Sequence, residues 1–286
     1  MSSTTDQFAW STSQQVNSIG AATVNDIKLV MTLLVRNEAD IIEDNIRFHH
    51  AMGVDNFIVM DNLSTDATSD ILQVLSKELT IEIISQTDDD YDQGVWVTHM
   101  ARLAAQRYDA DWVINSDADE FWLPAKGTLK SYLATIPDTV SRINVARYNA
   151  ILEGKDGEPL AATAHPKRTI LFERRSKTPL GQQLPNKCLH RANPLIEVGQ
   201  GNHTVANISG DIINAGDDLS ILHYPYRTLD AYRQKIALGG AAYIRNTRLS
   251  ERIGATWREQ YKTLEHGGID HLWESLSRSS RDILIE

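Results

Sequence analysis

The sequence predicts an α/β fold: a mainly parallel sheet with helices packed on its faces. Three observations carry this expectation. Between residues 27 and 115, apolar runs rich in Val, Ile and Leu alternate with amphipathic stretches of helical length. The runs are nearly continuous in apolar residues, as in strands covered on both faces. Each is closed by a polar loop, and in sheets of this kind ligands bind beyond the carboxyl ends of the strands.

The elements follow in order. Ile27 to Val35 reads as the first strand, and Asn37-Glu38-Ala39-Asp40 opens an amphipathic helix that runs to about Met52, before Gly53. Asn56 to Met60 is a second strand, ended by Asp61-Asn62-Leu63-Ser64-Thr65-Asp66, and a helix spans about Ala67 to Leu79. Thr80 to Ser85 is the third strand. After the acidic loop Asp88-Asp89-Asp90-Tyr91-Asp92, a helix from about Val95 to Tyr108 leads into a fourth strand, Trp112 to Asn115. Links of this length favour right-handed crossovers between parallel strands. Thr169 to Phe172 and Cys188 to Arg191 are short apolar stretches separated by a loop with Pro179, Gly181 and Pro185, and they read as paired strands. From Leu229 the pattern is helical: about Asp230 to Asn246, Ser250 to Leu264, a break at Gly267-Gly268, then Asp270 to Ile285. Residues 1–25, rich in Ser, Thr and Gln, read as a flexible tail.

The chain has 286 residues and a formal net charge of −10, with 42% hydrophobic and 23% charged residues. That composition belongs to ordinary globular proteins and excludes collagen-like, disordered and disulfide-scaffold classes. The charge is uneven: residues 1–150 hold 10 basic and 22 acidic side chains, whereas 151–286 hold 18 and 16. A nucleic-acid binder needs a basic surface, so no nucleic-acid partner is expected. An acidic half beside a mildly basic one suits a divalent cation and a phosphorylated ligand. Cys188 is the single cysteine, which excludes an intrachain disulfide and a cysteine zinc cluster. No apolar run approaches the roughly 20 residues of a membrane-spanning helix. The N-terminus lacks the basic start and apolar middle of a signal peptide, so a cytoplasmic location is expected.

The chemistry concentrates at the strand ends. Asp117 and Asp119 lie two apart, on one side of an extended backbone. Carboxylates that close repel unless a cation sits between them, and such oxygen ligands suit Mg²⁺ or Mn²⁺, which also take oxygens from a diphosphate. The commoner use of an Asp-X-Asp is a solvated loop or a helix cap. Here it stands between two strongly apolar stretches, Trp112 to Asn115 and Phe121-Trp122-Leu123, which favours a functional site.

Four blocks together resemble GT-A-fold glycosyltransferases. They are Leu33 to Asp40, Gly53 to Asp66, Asp111 to Phe121, and His223-Tyr224-Pro225-Tyr226-Arg227 followed by Tyr232, Lys235 and Gly239. The likeness is to the family 2-like branch that shares features with galactan synthases, over roughly residues 27–245. It implies a GT-A catalytic domain over 26–228, with a nucleotide-sugar half at 26–125 and an acceptor half at 126–228, and a helical segment at 229–286. It also implies a nucleoside-diphosphate sugar donor, UDP-linked, and a glycan or other hydroxyl acceptor. Arg36 and Glu38 would border the base and ribose, and Asp61 would contact the uracil or ribose. Asp117 and Asp119 would hold Mn²⁺ or Mg²⁺, and His223 would add a contact to the metal or the diphosphate. Arg227 and Lys235 are candidates for a further positive group beside the diphosphate.

An inverting transfer wants a general base beside the acceptor hydroxyl. Where related enzymes place an Asp or Glu, this sequence offers His203, with Glu153 and Asp156 as the alternatives. The basic cluster Arg174, Arg175, Lys177 and Lys187 suits an anionic acceptor or a peripheral contact with an anionic membrane, against the default of a solvated face. Trp122, Tyr148 and Tyr224 are candidates for stacking on a sugar. Two other functions use the same residues: a metal-dependent phosphoesterase or nucleotidyltransferase, and a noncatalytic nucleotide-sugar binding protein.

Overall fold

The computed structural model describes residues 27–90, 92–150, 172–173, 176–178 and 181–283, excluding the side chains of 277–283. Strands β1 (Leu29–Val35), β2 (Asn56–Asn62), β3 (Ile81–Gln86) and β4 (Trp112–Ser116) pair in parallel in the order β3-β2-β1-β4. They are linked by α1 (Ile42–Ala51), α2 (Thr68–Leu75) and α3 (Gln93–Arg107). Strands β2 and β4 are buried at every position and β1 at all but one, as their unbroken apolar runs require. Edge strand β3 is only partly covered.

The second half completes a larger sheet. It comprises β5 (Glu120–Pro124), α4 (Leu129–Leu133), β6 (Val140–Asn149), β7 (Lys187–Arg191), β8 (Glu197–Val198), β9 (Val205–Ala206), β10 (Asp211–Asn214) and β11 (Leu219–His223). The order continues β4-β7-β6-β11-β5, with β10 also paired to β6, while β8 and β9 form a separate two-stranded ribbon. Ladders β6–β11 and β6–β10 are parallel, and β7 and β5 run antiparallel to their neighbours. The expected mainly parallel α/β sheet is therefore present, with two reversed strands.

Those reversals build the site. Strands β1, β4, β6 and β11 end at one rim, and the antiparallel β5 and β7 begin there. The chain-terminal side of each forward strand and the first residue of each reversed one, Glu120 and Lys187, thus share an edge.

The pairing of Thr169–Phe172 with Cys188–Arg191 needs correction. Strand β7 is inserted between β4 and β6 and uses both its edges, so it has no edge to offer a third strand. Phe172 instead bridges Ala150, and Thr169–Leu171 lie outside the described residues. Strands β5, β6, β10 and β11 were not expected. In β6 the polar Arg142, Asn144 and Arg147 interrupt the apolar pattern and hide a ten-residue strand.

The expected C-terminal helices are α5 (Leu229–Arg245), α6 (Ala255–Glu265) and α7 (Ile269–Ile283). Thr228 caps α5, its hydroxyl accepting from the Ala231 N–H at 3.0 Å. Tyr232, Ile236, Ile269 and Trp273 form a buried cluster separate from the sheet core. Helices α5 and α6 touch at Gly239, where a Cβ would lie 2.7 Å from the Trp257 ring. Among the described residues no helix is long and apolar enough to cross a membrane.

Candidate active site

The loops after β1 and β2 are knitted together. Asn37 adopts a left-handed conformation (φ 55°), which an Asn side chain tolerates better than most. Its Oδ1 accepts from the Thr65 N–H at 2.7 Å, and its own N–H donates to Ser64 Oγ at 3.0 Å. The Glu38 N–H donates to Thr68 Oγ1 at 2.9 Å. Two blocks far apart in the sequence thus form one platform.

Helix α1 fixes the Asp117–Glu120 turn. Asn45 Nδ2 donates to the carbonyls of Ala118 and Glu120, both at 2.8 Å, and His49 Nε2 accepts from the Trp122 N–H at 3.0 Å. The Tyr224 N–H closes the turn from the other side by donating to the Asp119 carbonyl at 2.8 Å. The backbone carrying both aspartates is held by neighbours on two elements, as a preorganised site requires.

Around it, five carboxylates and four cations interleave. Lys235 Nζ lies 2.5 Å from Asp119 Oδ2, with Arg227 at 3.8 Å. Arg227 also pairs with Glu38 at 2.5 Å and Asp40 at 2.6 Å. Lys187 Nζ bridges Asp117 Oδ2 at 2.7 Å and Glu120 Oε1 at 3.3 Å, and Arg147 meets Glu120 at 3.0 Å. Burial works against ionisation of Asp119, yet Lys235 and Arg227 outweigh it and hold that carboxyl well below the usual range. Asp117 is likewise held down, its burial overcome by Lys187. For Glu38 and Glu120 burial prevails and pushes both carboxyls up, despite Arg227 and Lys187.

All of these groups except Asp40 and the wholly buried Glu120 line a cavity of about 1000 Å³, walled on one side by the strand ends and on the other by α5 and α6. Arg36, Glu38, Asp117, Asp119, His203, His223, Arg227 and Lys235 all line it. Asp61 does not. Its carboxylate turns under the loop after β2, accepting from the Ser64 N–H at 3.1 Å and from the Ser69 hydroxyl, and the neighbouring Asn62 lines the cavity instead. Glu153 and Asp156 lie outside the described residues.

His203 donates from Nδ1 to the Asn186 carbonyl at 2.9 Å. Burial, then Lys187 and Arg147, lower its pKa to about 4, so it is uncharged at neutral pH but a weaker base than free imidazole. Trp122 is wholly buried, its Nε1 donating to Ser116 Oγ, and it has no face to offer a sugar. Tyr224 packs edge-on against Phe121 and Phe172, and Tyr148 does not line the cavity. The cavity aromatics are Tyr226, Tyr232, Tyr243 and Trp257. Cys188 is buried in the sheet, its thiol pushed up to about 11 by that burial, and is unreactive.

Asp119 and His223 fit a divalent cation. Oδ2 of Asp119 is engaged by Lys235, while Oδ1 faces His223 Nε2 at 3.7 Å. Burial lowers the His223 pKa to about 3, leaving a neutral imidazole, the form that binds metals. Carboxylate oxygen with imidazole nitrogen suits Mn²⁺ better than Mg²⁺. Among the described residues no three His, Cys, Asp or Glu side chains converge as a ready-made metal cluster, so the protein's share of the coordination is partial. Such a site is completed by water and phosphate oxygens.

Sequence reasoning missed Asn45, His49, Glu120, Arg147 and Asn149, and it grouped Lys187 with a basic cluster for an anionic acceptor or membrane, whereas Lys187 is buried and pairs with Asp117 and Glu120. For Asn45 and His49 a signal existed: they fall with Ile42 and Ile46 on the buried face of α1, where polar residues must have partners.

The sequence matches the family model described as Glycosyltransferase family 92 over residues 31–260. No curated protein matches the chain significantly. Among solved structures, residues 1–349 of S. aureus TarS align at 13% identity with a TM-score of 0.44, covering 90% of this chain and 92% of that one. The mannosyltransferase PcManGT from Pyrobaculum calidifontis, in complex with GDP-Man and Mn²⁺, aligns at 14% identity with a TM-score of 0.46, covering 94% and 78%.

Proposed function

Since the chain belongs to glycosyltransferase family 92, we propose that it transfers a sugar from a UDP-linked donor to a hydroxyl of a glycan or similar acceptor, using Mn²⁺ or Mg²⁺ and inverting the anomeric centre. The observation that carries this is the convergence of Asp119, His223, Arg227 and Lys235 on one cavity at the strand ends. Membership in a transferase family favours transfer over the phosphoesterase and binding-protein alternatives.

Sugar transfer from a nucleoside diphosphate places growing negative charge on the departing phosphate oxygen. A bound divalent cation supplies Lewis-acid neutralisation of that charge. Asp119, His223 and Asp117, the last already fixed by Lys187, would hold the cation. Lys235 and Arg227 add positive charge that is already in place before the reaction, in buried surroundings where it acts strongly. Arg36 and Glu38, at the end of β1, border the base and ribose. His203 is the proposed acceptor-side base. Its Nδ1 proton is engaged by Asn186, so Nε2 is the nitrogen that takes the acceptor proton.

The test is incubation with a panel of nucleotide sugars and glycan acceptors, following nucleoside diphosphate release and the mass of the product. Asp119→Ala is expected to lower kcat by about a hundredfold or more, and chelation to abolish turnover. Unchanged turnover in either case defeats the metal assignment. Diphosphate or phosphate release without glycoside formation returns the phosphoesterase reading.

A further inference from the structure

We propose that Asn149 is a positioning residue that fixes the tautomer of His223, and so decides which imidazole nitrogen meets the metal. This rests on the assignment of His223 as a ligand made above. Strands β6 and β11 run in parallel with Asn149 opposite His223, and the two side chains meet with Asn149 Oδ1 2.8 Å from His223 Nδ1. A carboxamide can be turned either way, so the contact alone does not say which atom donates. The rest of the amide's surroundings does. Asn149 Nδ2 lies 3.3 Å from Glu173 Oε2 and 3.3 Å from the Lys177 carbonyl; burial pushes the Glu173 carboxyl up, but the carbonyl only accepts whatever form Glu173 takes, so Nδ2 faces this side. The backbone N–H of Asn149 is itself pinned by Ser176 Oγ at 2.7 Å.

With both Nδ2 hydrogens committed, Oδ1 must be the atom that faces His223, and it can only accept. The proton of His223 therefore sits on Nδ1. Nε2 is left with a bare lone pair pointing at Asp119 Oδ1, 3.7 Å away. Two lone pairs at that separation repel each other, and a cation between them turns the repulsion into binding. This is the outer-shell arrangement in which a metal-ligating His donates its other N–H to a fixed acceptor. Asn149 is 4% exposed, which limits the access of water to this contact.

The test reads the ring directly. In protein labelled with ¹⁵N-histidine, long-range ¹⁵N–¹H correlation shows which nitrogen carries the proton, and the His223 signals are identified by their loss in His223→Gln. In the metal-free protein, protonated Nδ1 and bare Nε2 are expected. In Asn149→Leu that preference is expected to vanish, and Mn²⁺ affinity in the presence of UDP, read by electron paramagnetic resonance of free Mn²⁺, to fall about tenfold or more. Asn149→Asp combined with Glu173→Gln, which keeps an acceptor toward Nδ1 and gives the second carboxylate oxygen a donor, is expected to keep the tautomer and guards against a leucine variant that fails to fold. Protonated Nε2 in the parent or in that double variant overturns the proposal, as does parent-like tautomer and Mn²⁺ binding in Asn149→Leu. A parent with the expected tautomer that takes up no Mn²⁺ supports the role of Asn149 and defeats the metal assignment instead.

Discussion

Lys235 places its ammonium 2.5 Å from Asp119 Oδ2, tying helix α5 to the turn after β4 across 116 residues of sequence. The contact closes the cavity from the C-terminal side and neutralises a carboxylate that is 2% exposed. Lys235→Met leaves that charge without its nearest partner, and removing one member of a buried pair costs about 3 kcal/mol. The variant is expected to lose about that much stability by urea denaturation. It is also expected to bind UDP at least about tenfold more weakly by titration calorimetry, because the positive group proposed to lie beside the diphosphate is gone. Full stability with undiminished UDP affinity would mean that the pair is a surface contact of no consequence.

Lys187 carries a different load. Its ammonium is 1% exposed and serves Asp117 and Glu120 at once, with Glu120 wholly buried. Lys187→Met is expected to destabilise the protein by about 3–5 kcal/mol. Neutralising the acid as well should recover part of the loss, and only part, because Arg147, which pairs with Glu120 at 3.0 Å, then loses its partner. The double-mutant cycle of Lys187→Met with Glu120→Gln measures this directly. A coupling energy near zero would show that the two side chains do not depend on each other.

Arg227 spans Glu38, Asp40 and Asp119 with one planar group, reaching Glu38 through one terminal nitrogen and Asp40 through Nε. A lysine keeps the charge but not the fork. Arg227→Lys is therefore expected to behave nearly like Arg227→Ala in donor KM, with both raised about tenfold or more. A lysine variant with parental KM would show that charge alone suffices there.

The readable parts of this molecule were those in which one stretch of chain carries its own pattern. Strands β1, β2 and β4 announce themselves as unbroken apolar runs, and the residues at their ends, Arg36, Glu38, Asp117 and Asp119, come together because parallel strands must end at one rim. His223, Arg227 and Lys235 were reachable only through their ordered resemblance to known enzymes. Lys187 was legible only as one of a basic cluster, since nothing in Asn186-Lys187-Cys188 reveals that β7 runs between β4 and β6 and brings its first residue under Asp117. Asn149 sits at the end of a strand whose arginines disguise it. Asp61 reads as a ligand contact, but the serines that follow it supply nearer donors, and the carboxylate turned to them.

His49 gives the fold a predictable response to acid. Its Nδ1 donates to the Asn45 carbonyl at 2.8 Å and its Nε2 accepts from the Trp122 N–H at 3.0 Å, so the native ring has no place for a second proton. Burial lowers its pKa from the ordinary value of 6.5 to about 3. Above pH 6.5 the ring is neutral in folded and unfolded chains alike. Below it the unfolded chain takes up a proton that the folded chain refuses, so stability falls as pH drops from 6.5 towards 3. One such histidine contributes a slope of about 1.4 kcal/mol per pH unit. His190, lowered to about 4 by burial and accepting from Asn115 Nδ2 at 2.9 Å, acts in the same direction. Glu38 and Glu120, whose carboxyls burial pushes up, act in the opposite direction over their own range. The comparison of parent with His49→Gln removes these shared contributions. Urea denaturation at intervals between pH 6 and pH 4 is expected to show a pH slope shallower by about 1.4 kcal/mol per unit in the variant. Equal slopes would mean that the folded chain admits the proton and that the Trp122 contact yields to it.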